Sequence, residues 1–125
     1  MKVVDTTVAV DHLRGTTAAT ELLTHLVAAG ETLAASEITR FELLTGVRDS
    51  EIDALEAFCS AMAWVPIDEA ISRTAGALAR RLRRSYGGID DADYLIAATA
   101  ILLEADLLTT NIRHYPMIGG LRAPY

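Results

Sequence analysis

At 125 residues, 51% hydrophobic and 22% charged, the chain is long enough to bury one core and is not a disordered tail. Its net charge of −6 argues against non-specific coating of nucleic acid. Its single cysteine, Cys59, excludes an internal disulfide framework and a cysteine-built zinc site. With 6% aromatic residues, a large base-stacking platform is also unexpected.

The first predicted element is a short buried strand at Val3-Val4, ended by Asp5-Thr6-Thr7. Val8, Ala9 and Leu13 then read as a helix that Gly15 stops. Thr16 or Thr17 caps a second helix with Leu22, Leu23, Leu26 and Val27 as its apolar stripe, ending at Gly30. Thr32 to Ala35 is a second strand. Ser36 caps a helix that runs through Phe41, Leu43 and Leu44 to Gly46 and places Glu37 in its first turn. Ser50 opens a longer amphipathic helix with Ile52, Leu55, Phe58 and Met62 inward. Trp64 to Ile67 is a third strand, and Pro66 places it at an edge or near its end. Asp68 caps a helix with the stripe Ile71, Ala75, Leu78 and Leu82, broken by Gly87-Gly88. Asp90-Asp91 opens a nearly all-apolar helix, Tyr94 to Leu103, expected to be buried. Asp106 to Thr109 is the fourth strand.

Strands alternating with helices from end to end predict a three-layer α/β/α domain spanning residues 1–125, with a central parallel sheet of four or five strands. Charge reaches the N-terminus too early for a secretory segment. The run from Tyr94 to Leu103 is about half a membrane span. The expectation is a cytoplasmic protein with no membrane segment.

In such a sheet, ligands bind beyond the carboxyl ends of the strands. Asp5 follows the first strand, Ser36 leads into the helix carrying Glu42, and Thr109-Thr110-Asn111 ends the fourth. Asp90, Asp91 and Asp93 open the buried helix that precedes it. Carboxylates brought together there stay ionised when cations hold them, and hard oxygen ligands suit Mg²⁺ or Mn²⁺. Such an ion polarises a phosphodiester and lowers the pKa of water. Each acid also has an ordinary reading: Asp5, Asp90 or Asp91 as a helix cap, Asp93 as a first-turn acid on the helix dipole. If repulsion among these acids dominates, Asp93→Asn leaves the fold as stable or more stable. His12 and His25 read as helix-surface residues, and Cys59 as a small buried hydrophobe. No phosphate-binding glycine loop or nucleophile elbow is present.

Four segments then resemble, in order, the motifs of PIN domains. They are Val3 to Thr7, Ser36 to Gly46 (S-x-x-T-x-x-E-L-x-x-G), Asp93 to Ala100 (D-x-L-I-A-A-T-A) and Leu108 to Tyr115 (L-x-T-x-N before an acid and an aromatic). The compact chain is similar to the VapC toxins of VapBC toxin–antitoxin modules. The resemblance implies a Mg²⁺- or Mn²⁺-dependent endoribonuclease with Asp5, Glu42 and Asp93 as catalytic acids, and Asp5 and Asp93 as metal ligands. Thr6 and Asn111 then line the site. It further implies a VapB-like antitoxin that blocks the crevice, an RNA substrate and a homodimer. His114 stands where relatives often carry an acid, which leaves one metal or two open; Asp90, one turn from Asp93, is the candidate substitute. An inactive PIN-like binding module is the alternative.

Charge also singles out a second region. Asp49 to Glu69 holds six acids and no base, and Ala70 to Ile89 holds five arginines and no acid. Arg80, Arg81, Arg83 and Arg84 serve either as a solvated helix face or as contacts for RNA or the antitoxin.

Overall fold

The computed structural model describes residues 1–125. Four short strands form one parallel sheet: β1 (Lys2–Val4), β2 (Leu33–Ser36), β3 (Ala63–Val65) and β4 (Asp106–Leu108), in the order β3-β2-β1-β4. Val3 lies opposite Ala34 on one side and Leu107 on the other. The two inner strands carry the Val3-Val4 and Leu33-Ala34-Ala35 runs, buried on both faces as parallel strands require.

Alternation along the strands divides the core. Val3 and Ala34 join one apolar cluster with Ile71, Leu78, Ile96 and Ala97, from helices α5 (Glu69–Leu82) and α6 (Asp91–Leu103). Val4 and Ala35 join the other. It includes Val8 of α1 (Thr6–Leu13), Leu23 of α2 (Thr17–Ala28), Leu43 of α3 (Glu37–Gly46), and Leu55 and Phe58 of α4 (Ile52–Ser60). The three-layer α/β/α architecture is therefore observed, with four strands.

Several local expectations change. The residues before α4, Asp49–Glu51, form a 3₁₀ turn in which Glu51 accepts the Arg48 N–H at 2.9 Å, so the helix starts later than expected. Ile52 then faces outward at 43% exposure, and Met62 is buried in the turn into β3 rather than on the helix. Val27 is exposed as well. Eight residues of α1 span roughly 12 Å against roughly 18 Å for α2, so α2 outruns α1, and in its last turn Leu26 still packs on the core while Val27 does not. The apolar helix α6 is buried only in part: Ile101, Leu102 and Leu103 are exposed. Its 13 residues run roughly 20 Å over strands of three residues, roughly 10 Å long. Pro66 follows β3, which is an edge strand. No helix is long and apolar enough to cross a membrane.

The strand order sets the position of the site. From β1 the chain moves to β2 and on to β3, then returns to place β4 on the other side of β1. The reversal opens a crevice between the carboxyl ends of β1 and β4, where Asp5 and Thr109 lie.

Candidate active site

Asp5 occupies the N-cap position of α1, yet its side chain makes no capping bond. It is 2% exposed and is held by three hydroxyls instead. Thr109 and Thr7 donate to Oδ2 at 2.6 and 2.9 Å, and Tyr115 donates to Oδ1 at 2.9 Å. The ordinary reading of Asp5 as a helix cap is thereby replaced. A buried carboxylate needs such donors to remain charged.

Tyr115 ties the first acid to the third. Its hydroxyl also lies 3.3 Å from Asp93 Oδ1, so one proton is shared between the carboxylates of Asp5 and Asp93. Burial, followed by the two negative charges beside it, raises the Tyr115 pKa far above the ordinary phenol value, and the hydroxyl stays a donor. Asp93 Oδ2 accepts the Asp90 backbone N–H at 3.0 Å, closing the first turn of α6, and lies 2.9 Å from His114 Nδ1. With these donors around it, Asp93 is not simply a repelled charge. The expectation that Asp93→Asn leaves the fold as stable or more stable gives way.

The Nδ1 edge of the His114 ring is engaged within the site. Its Nδ1 contacts Asp93 at 2.9 Å and the Asn111 amide at 2.8 Å. A lone pair cannot face a carboxylate, so Nδ1 carries the hydrogen toward Asp93; Asn111, whose Nδ2 lies against the same ring nitrogen, accepts from it only with its amide turned over. Asn111 thus supports Asp93 through His114.

Glu42 enters from α3. Thr6 donates to its Oε1 at 2.7 Å, and the same Thr6 oxygen lies 3.1 Å from the buried Thr39 hydroxyl. Burial raises the Glu42 pKa above the ordinary glutamate value. The Thr6 hydrogen bond opposes this, and the charges of Asp5, Asp93 and Asp90 add to it. Residues 5, 42, 90 and 93 therefore share one electrostatic neighbourhood. The neighbours of Glu42 on α3, Phe41 and Leu44, are exposed, while Leu43 is in the core. Beside Glu42 a cleft of about 470 Å³ opens between α1, α3 and α4, lined in part by Val10, Leu13, Val47, Arg14 and Arg48.

No three of the acids, histidines and cysteine stand close enough to cage a cation as they are. The donor set nonetheless fits a hard divalent ion. The Oδ1 atoms of Asp5 and Asp93 share one hydroxyl between them and keep lone pairs to give, and Glu42 is adjacent.

Sequence reasoning named Asp5, Thr6, Glu42, Asp90, Asp93 and Asn111, and all six lie at this rim. It missed Thr7, Thr39, Thr109 and Tyr115 as site residues. All four lie inside the PIN-like motifs, and the signal available was a polar residue beside each acid-bearing strand end. Asp91 points away from the crevice and pairs with Arg83 at 2.6 Å. Among the arginines, Arg80 and Arg81 belong to α5, Arg83 caps its C-terminus, and Arg84 follows it; all are exposed. His12, read as a surface residue, binds Thr20 at 2.8 Å and stacks at 5.5 Å from the Phe58 ring.

Known proteins resemble this chain over its whole length. The PIN domain family model matches residues 2–117. Ribonuclease VapC19 of Mycobacterium tuberculosis is 62% identical over 125 residues, covering 100% of both chains. Ribonuclease VapC10 of the same organism is 38% identical, covering 100% of this chain and 93% of the relative. Among solved structures, VapBC2 from Rickettsia felis, bound to a DNA fragment from its promoter, superposes with a TM-score of 0.83 at 25% identity, over 98% of this chain and 96% of that one. A toxin–antitoxin complex from Klebsiella pneumoniae gives 0.82 at 25% identity, over 100% and 98%. With a family model spanning nearly every residue and a full-length relative this similar, the chain belongs to the PIN-domain family and, within it, to the VapC ribonucleases.

Proposed function

We propose that this chain is the toxin of a VapBC-type pair and hydrolyses RNA phosphodiester bonds at the β1–β4 crevice, acting as a single domain. The observation that carries this reading is the hydroxyl of Tyr115 shared between Asp5 and Asp93, acids 88 residues apart in the chain. A fold that needed these acids only as caps has no reason to bring them to one buried hydroxyl.

Asp5 and Asp93 would hold the metal, Mg²⁺ or Mn²⁺, with Glu42 as the third acid. Bound there, such an ion supplies positive charge to the phosphodiester and makes water a better acid. Glu42, oriented by Thr6 and raised in pKa by its surroundings, takes the proton of the attacking water. A phosphorus–oxygen bond to water forms as the bond to one ribose breaks. Tyr115, Thr7 and Thr109 fix Asp5, while His114, Asn111 and the Asp90 N–H fix Asp93. His114 donates where an acid would bind, which favours one ion over two.

The partner is a VapB-like antitoxin. The cleft beside Glu42, part apolar and flanked by Arg14 and Arg48, suits a chain segment that ends at the crevice and blocks it. A homodimer and a cytoplasmic location follow the family. Incubating the protein with single-stranded RNA, with and without a chelator, tests the reading. Cleavage that needs Mg²⁺ or Mn²⁺ supports it; intact RNA in every condition refutes it.

A further inference from the structure

A second cleft, of about 790 Å³, lies between α5 and α6 on the other side of the first turn of α6 from the crevice. Arg80, Arg83 and Arg84 line it. Its one acid, Asp91, is already bound to Arg83 at 2.6 Å, while Arg80 and Arg84 have no acidic partner. Arg80 lies in the last turn of α5 and Arg84 just beyond its end, and both line the same opening. Small residues, Ala75, Gly76 and Ala79, form the α5 wall and leave room for a ligand.

An independent observation marks the α6 wall. Tyr94 lines the cleft, and its hydroxyl is the one buried side-chain polar atom in the protein without a hydrogen-bond partner. The Arg83 guanidinium sits 5.7 Å from the centre of its ring. Two arginines without acidic partners at one opening suit an acceptor that is anionic and oxygen-rich, while the Tyr94 hydroxyl itself is buried away from the opening.

We propose that the α5–α6 cleft seats a backbone phosphate of the RNA, with Arg80 and Arg84 as its cations. The assignment rests on the ribonuclease reading and adds the surface by which an acidic protein grips a polyanion. Continuity favours RNA over an acidic peptide. Asp93 in the crevice and Tyr94 in the cleft are consecutive residues of α6, about 100° apart around the helix, so a strand leaving the crevice meets the cleft next. The antitoxin already has a separate groove beside Glu42.

Binding of a fluorescein-labelled single-stranded RNA, measured by anisotropy in chelator across a range of salt, tests this without cleavage. For Arg80→Gln/Arg84→Gln the slope of log affinity against log salt flattens by up to about 1.4, roughly 0.7 per lost phosphate contact. Arg73→Gln, on the same helix but paired with Glu69 outside the cleft, keeps the wild-type slope. An unchanged slope in the double variant overturns the proposal. So does a double variant that loses affinity for a VapB-like antitoxin while binding RNA as the wild type does. Cleavage with Mg²⁺ is assayed separately. RNA held through the cleft but never cut would refute the ribonuclease reading and leave this one standing.

Discussion

Tyr115 shows how one side chain couples stability to the site. Its hydroxyl is the only side-chain donor to Asp5 Oδ1, and it reaches Asp93 as well. Tyr115→Phe therefore leaves a buried carboxylate oxygen unpartnered and two acids facing each other. Urea unfolding without metal should show a loss of about 1–3 kcal/mol, part of it recovered in millimolar Mg²⁺. Glu42 makes the converse case. Its raised pKa means the folded state binds the proton more tightly than the unfolded one, so its ionisation costs stability as pH rises through and above the ordinary glutamate value. Glu42→Gln keeps an oxygen to accept from Thr6 and removes the charge. The metal-free variant should melt higher than the wild type at pH 7, and the gain should vanish below the ordinary glutamate pKa; a variant that melts lower at pH 7 contradicts this. Asp5, Glu42 and Asp93 were legible in sequence because acids beside strand ends and apolar runs need an explanation. The hydroxyl network was not. Threonine and tyrosine are common in cores, and nothing in a one-dimensional pattern shows that Thr109 and Tyr115, more than 100 residues from Asp5, aim at its two oxygens.

At the scale of elements, capping and length decide what the sheet covers. Asp68 caps α5 by accepting the Ile71 N–H at 2.9 Å, and this bond anchors the helix whose stripe carries Ile71, Ala75 and Leu78 into the core. Asp68→Ala should cost about 1 kcal/mol in urea unfolding. A neutral result would mean that packing alone fixes the start of α5. The order and type of the strands and helices were readable because glycines, caps and apolar periodicity agree along the chain. The errors share one cause. Outward-facing Ile52, Val27 and Ile101 to Leu103 sit where a helix begins late or outruns its partner, and the relative lengths of packed elements are a tertiary property. The sheet's switch point, which places Asp5 beside Thr109, likewise depends on strand order.

For the molecule as a whole, an acidic protein must bind an acidic polymer. A net charge of −6 repels RNA at long range, so attraction must be local: the proposal supplies it through arginines at the end of α5 on one side and, on the other, through the cation proposed for the crevice acids. The acidic run from Asp49 to Glu69 lies on the turn before α4, on α4 and at the start of α5. The central claim is that the crevice acids bind a divalent ion and that RNA cleavage depends on it. Asp93→Asn tests it most directly, by calorimetric titration with Mn²⁺ alongside RNA cleavage on protein shown to be folded by circular dichroism. The variant should lose the Mn²⁺ binding heat and at least ~100-fold in cleavage, with the fold kept at a cost of about 1 kcal/mol for the weakened cap of α6. A folded Asp93→Asn protein that binds Mn²⁺ and cuts RNA as the wild type does would contradict the account.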